Sequence, residues 1–200
     1  MKWDLYCLIT NFFHSVSVSA LAKTNNNWDN LYGHINKCME VIGTDKKPNF
    51  IAVDFIGSAG DLKMITEFYN DGGIIFYEGN DSTKDIVCGL SGKKSRNSRS
   101  GHHGCENDEA RSAKIFNTAK GTKFSVYDDP EGPQQSADWF GFGKLDDFSV
   151  ITVIKDVGSG GCLVPTFEKK YSSDCFRMEY FKKDGLYKKV SYFSVQPPED

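Results

Sequence analysis

Apolar positions along the chain fall into two textures. Between residues 28 and 72 they recur at helical spacing. Trp28, Leu31, Tyr32, Ile35, Cys38, Met39 and Ile42 form one stripe, preceded by the capping candidates Asn25–Asn27 and stopped at Gly43. Leu62, Ile65, Phe68 and Tyr69 form a second stripe, stopped at Gly72-Gly73. Between them runs Phe50-Ile51-Ala52-Val53, an unbroken apolar stretch closed by Asp54 and Phe55. A run this short without polar alternation reads as a strand buried on both faces. Ser58-Ala59-Gly60-Asp61 then has the spacing of a helix N-terminus. Lys47 to Asn70 therefore predicts strand, loop, helix, with one carboxylate at the strand's carboxyl end, where α/β folds build their sites.

From Gly72 onward, short aromatic and β-branched runs alternate with Gly, Asp, Ser and Pro turns. The runs are Ile74–Tyr77, Ile86–Gly89, Ala113–Asn117, Lys123–Tyr127, Phe148–Ile154, Arg177–Phe181 and Val190–Phe193. Their spacing predicts an antiparallel sandwich. The stretches GGIIFYEGNDSTKDIVCGL and GTKFSVYDDPEGPQQSADWFGF look alike: an aromatic strand, an acidic Gly turn, then a polar return to an apolar strand. The change of texture places a boundary near Asp71–Gly73, dividing residues 1–72 from 73–200.

Composition sharpens this only in part. The 200 residues are 39% hydrophobic and 26% charged, as in a globular chain. A net charge of -3 supplies no steering field for nucleic acid. Fifteen Phe and nine Tyr favour β-structure. Six cysteines, at 7, 38, 88, 105, 162 and 175, form no C-x-x-C pair, which argues against structural zinc. Cys88 with Cys105, and Cys162 with Cys175, suit short loops in an oxidising compartment, but sequence leaves the pairing open. Residues 1–22 have two readings. One is a signal peptide with Ala20-Leu21-Ala22 as its cleavage site; the other is a strand over Leu5–Ile9 ending at Thr10-Asn11. No run approaches the roughly 20 apolar residues of a membrane span.

Ser91–Gly104 reads as a solvated loop. Its Lys93, Lys94, Arg96 and Arg99 also suit contact with an anionic lipid surface. His102, His103 and Cys105 are weak metal candidates in a flexible run, and no metal or cofactor is assigned.

The stretch PNFIAVDF, with its following small-residue loop and the helix ending in YN, resembles the last βα unit of the barrel in phosphatidylinositol-specific phospholipase C of the bacterial and fungal type. The resemblance covers roughly residues 1–70. The alternating stretches after Gly72 are similar to the Greek-key repeat of βγ-crystallin-like domains. Together they imply an α+β chain: the last two βα units of a TIM-type barrel over 1–72, then a β-sandwich over 73–200. In that family two histidines act as general base and acid on a phosphodiester, and a last-strand carboxylate orients the base. Asp54 matches the orienting carboxylate. Thr10 and Asn11 lie where the family contacts the inositol ring. The departure is large, because a barrel needs eight units and about 250 residues. His14 and His34 do not stand in for the family's base and acid. The resemblance thus implies a phosphoric diester hydrolase of lipid metabolism, incomplete and inactive alone, with a phosphoinositide or anionic lipid surface as partner. The alternative is a secreted, non-catalytic βγ-crystallin-like binding module.

Overall fold

The computed structural model describes residues 32–33, 35–37, 62–99, 105, 107–130, 132, 147–181 and 185–199. Helix α1 spans Leu62–Asp71, and Gly72, at φ +73°, ends it by turning its N–H back onto the Phe68 carbonyl at 2.8 Å. Nine strands follow among the described residues: β1 Gly73–Tyr77, β2 Ile86–Ser91, β3 Arg96–Arg99, β4 Ser112–Phe116, β5 Lys123–Tyr127, β6 Phe148–Val153, β7 Cys162–Val164, β8 Phe176–Phe181 and β9 Tyr192–Gln196.

The strands make two sheets, ordered β2-β1-β4-β7 and β3-β9-β5-β6-β8. Every pairing between these strands is antiparallel. We call them sheet A and sheet B. The order reveals an exchange. Strands β1, β2 and β4 build sheet A, but β3, between them in sequence, sits at the edge of sheet B against β9. Strand β7 makes the reverse move and pairs with β4. Each half lends one strand to the other's sheet, so neither sheet is complete from one half alone.

The core lies between the sheets. Phe76 of β1 meets Phe193 of β9 at 4.8 Å between ring centroids and Phe167 at 5.9 Å. Ile74, Ala113 and Ile115 line the sheet A side, and Phe124, Val126, Ile151 and Val153 the sheet B side, all at most 1% exposed. Strand β6 shows the alternation that a sheet with one buried face demands: Ser149, Ile151 and Val153 are buried, and Phe148, Val150 and Thr152 are not. Disulfides Cys88–Cys105 and Cys162–Cys175 tie the excursions around β3 and between β7 and β8, with Cα separations of 4.9 and 6.4 Å.

Two expectations are corrected here. The fold class is not a barrel fragment followed by a sandwich. The described residues form two antiparallel sheets with short helical segments, of which α1 packs on one sheet, and they contain no barrel. Of the helical stripe, Phe68 is buried and Tyr69 partly so, but a helical period says nothing about the partner. Phe68 packs edge-on against Phe116 of β4 at 6.2 Å, so α1 covers sheet A rather than a parallel sheet of its own. The strand read at Phe50–Val53 lies outside the described residues. The solvated loop read over Ser91–Gly104 contains strand β3, made of Arg, Asn and Ser. A strand with so few apolar positions leaves no periodic signal.

Candidate functional site: the outer face of sheet B

Residues directly opposite in an antiparallel ladder point to the same side of the sheet. The registers therefore define rows across the outer faces. On sheet B, Tyr192 pairs with Tyr127, Tyr127 with Phe148, and Phe148 with Phe181. Four aromatic side chains thus stand in one row across β9, β5, β6 and β8. Successive ring centroids lie 5.9, 6.2 and 5.7 Å apart. All four are partly exposed, unlike the fully buried Phe124 and Phe193 on the opposite side of the same strands.

The next row is Ser194, Ser125, Val150 and Glu179, and the third is Gln196, Lys123, Thr152 and Arg177. Glu179, Gln196, Lys123 and Arg177 are exposed. The face is therefore one aromatic row bordered by hydrogen-bonding side chains of both charge signs. Arg99 of β3 is paired with Tyr192 and extends the aromatic row at the backbone level.

The turn after β5 fixes one end of the row. Gly132 has φ +76°, and a Cβ there would come within 2.7 Å of the Tyr192 ring. Only glycine takes that backbone conformation cheaply and lets the chain lie so close to the ring. The turn after β1 is held differently: the Ser112 hydroxyl donates to the Gly79 carbonyl and accepts from the Ser82 N–H at 2.9 Å. Burial raises the Tyr192 phenol pKa, with the neighbouring Tyr127 adding to it.

A second cluster lies where the β7–β8 connection passes the segment before β9. Arg111 donates from Nε and Nη2 to Glu168 Oε1 at 3.1 and 2.9 Å, and its guanidinium lies 4.4 Å from the centroid of the exposed Tyr187 ring. Asp147, 1% exposed, accepts from the Gly185 N–H at 2.6 Å. The buried Tyr180 hydroxyl has no hydrogen-bond partner among the described residues. Its pKa is raised by burial first, then by Asp147 and Glu168. No group of three or more metal-ligating side chains occurs among the described residues.

The sequence-derived site residues are scattered. Asp54, Thr10 and Asn11 lie outside the described residues, as do His102 and His103. Lys93 and Lys94 turn towards α1: Lys94 Nζ pairs with Glu67 at 2.9 Å and Lys93 Nζ lies 4.0 Å from Asp71. Arg96 and Arg99 are on β3, not in a loop. The aromatic row was missed by sequence reasoning. Each of its residues lies in or beside an apolar run, but that all four share one row is a property of register.

Comparison with protein-family models, curated proteins and solved structures finds no match. No helix among the described residues is long and apolar enough to cross a membrane.

Proposed function

We propose that this chain is a secreted, non-catalytic binding module of βγ-crystallin-like build, with the outer face of sheet B as its contact surface. The observation that carries the reading is the aromatic row Tyr192–Tyr127–Phe148–Phe181, partly exposed on a sheet whose other face is fully packed. Side chains of this size contribute most when removed from water, so a surface row of four favours a bound partner. Two reciprocal strand exchanges support the likeness to paired Greek-key units. Two disulfides on short loops support an oxidising compartment, because such bonds are rare where thiols are kept reduced. The sandwich supports the module reading over the phosphodiesterase one, because the described residues contain no barrel unit and the carboxylate Asp54 lies outside them.

The test uses the full chain expressed through a secretory route. Alkylation and mass mapping should find Cys88 joined to Cys105 and Cys162 to Cys175. Incubation with phosphatidylinositol vesicles should release no inositol phosphate. Free thiols at these four positions would sink the secreted assignment. Turnover of the lipid, abolished by substitution of a single histidine, would sink the non-catalytic one.

A further inference from the structure

The chemistry of the face narrows the partner, an inference that rests on the binding-module reading above. We infer that the aromatic row is a platform for a neutral polysaccharide chain, seated across the strands of sheet B. Three observations carry this. First, among the described residues the aromatic part of the face is one ring wide and four strands long, with centroid steps of 5.9, 6.2 and 5.7 Å. That shape suits a long, narrow occupant; a globular protein patch would call for an apolar area broad in both directions. Second, the bordering row carries Ser194 and the exposed Glu179, and the row itself carries the hydroxyls of Tyr127 and Tyr192. A sugar ring presents apolar C–H faces and a rim of hydroxyls, so it needs an aromatic surface beside hydrogen-bonding groups. Third, the described charges on the face are mixed: it carries Lys123 and Arg177 as well as Glu179. A track for a nucleic acid or another polyanion would need cations along its length. The backing is rigid. Phe148 and Phe181 stack within 15° of parallel, and Gly132 lies against the Tyr192 ring, so little side-chain freedom remains to be lost on binding.

The experiment titrates the full-length oxidised protein with cellohexaose, chitohexaose and laminarihexaose, followed by tyrosine fluorescence and calorimetry. At least one should bind saturably, with a dissociation constant of about 0.1–1 mM, the range expected for a shallow surface. Phe181→Ala, on the edge strand β8, and Tyr127→Ala should each weaken it about tenfold or more, while Lys155→Ala, away from the row, should change it less than about twofold. Circular dichroism checks that each variant folds. Should the aromatic variants unfold, amide shift mapping on the unaltered protein replaces them: shifts confined to β5, β6, β8 and β9 near the row support the proposal, and shifts elsewhere overturn it. Absence of binding to all three sugars up to about 10 mM overturns it, as does binding that the row variants leave unchanged. Binding only to heparin or to phosphatidylserine vesicles overturns the neutral glycan while leaving a binding module standing. Hydrolysis of phosphatidylinositol overturns the module reading itself.

Discussion

The two sheets share one core but have unlike outer faces. Sheet A is roofed. Tyr32 and α1 lie over it, with Tyr32 6.1 Å from Phe68 and 5.6 Å from Tyr69, and Phe68 resting on Phe116. Under that roof Ile75 is fully buried although its neighbours Ile74 and Phe76 point into the sandwich. Strand β1 is therefore apolar at Ile74, Ile75 and Phe76 without alternation. Sheet B has no helix over it among the described residues, and its strands alternate. A strand's period thus reports how many of its faces are covered. The aromatic residues serve differently on the two sides: on sheet A they join a helix to the sandwich, and on sheet B they line an open row.

The largest expected contrast comes from truncating one ring on each face. Phe68→Ala removes a side chain only 5% exposed and should destabilise by about 3–5 kcal/mol. Phe181→Ala removes a partly exposed ring at a sheet edge and should destabilise by about 1 kcal/mol. Urea unfolding of both variants measures this. Equal losses would mean that the sheet B row is as buried as the helix seam, and the contrast would be broken.

A smaller effect is expected at the turn that holds Tyr192. Gly132→Ala places a methyl against that ring in a left-handed backbone and should destabilise by about 1–3 kcal/mol. Gly158→Ala, where nothing lies within 4 Å, serves as the control and should stay within about 0.5 kcal/mol of the unaltered protein.

Alkaline pH probes the roof over sheet A by another route. Burial holds the phenols of Tyr69 and Tyr77 well above the ordinary 10.0, with the nearby Tyr32 adding to the shift. A folded pKa raised above the unfolded one gives a contribution fully present below pH 10 and lost as pH rises beyond it, because the unfolded chain releases the proton first. Melting temperature should therefore fall above pH 10, and Tyr69→Phe should lessen the slope. An unchanged slope would show that the roof over sheet A admits water.

The smallest effect concerns the ion pair linking α1 to the end of β2. Lys94 is half exposed, so Lys94→Ala should alter stability by no more than about 1 kcal/mol, and added salt should erase the difference. A larger loss at high salt would mean that the pair orders the helix rather than decorating it.

Much of the architecture was legible in the residues themselves. The apolar runs at Ile74–Tyr77, Lys123–Tyr127 and Phe148–Ile154 coincide with strands to within a residue or two, because short apolar runs and the turn residues that bound them are local properties. The helix ending at Gly72 was equally local, since its stop depends on one glycine at positive φ. The loop-closing cysteine pairs were visible as spacings and became bonds only in the fold. What the tertiary structure decided was everything that depends on distant partners. It chose sheet A as the surface beneath Phe68, where the stripe alone suited any apolar sheet and a barrel unit was expected. It made a strand of Arg96–Arg99 by supplying the hydrogen-bonding edge of β9, which no side-chain pattern advertises. It also set the register that brings Tyr192, Tyr127, Phe148 and Phe181 into one row. A shift of one residue in any of those pairings would turn its ring into the core, so the row exists only through long-range pairing.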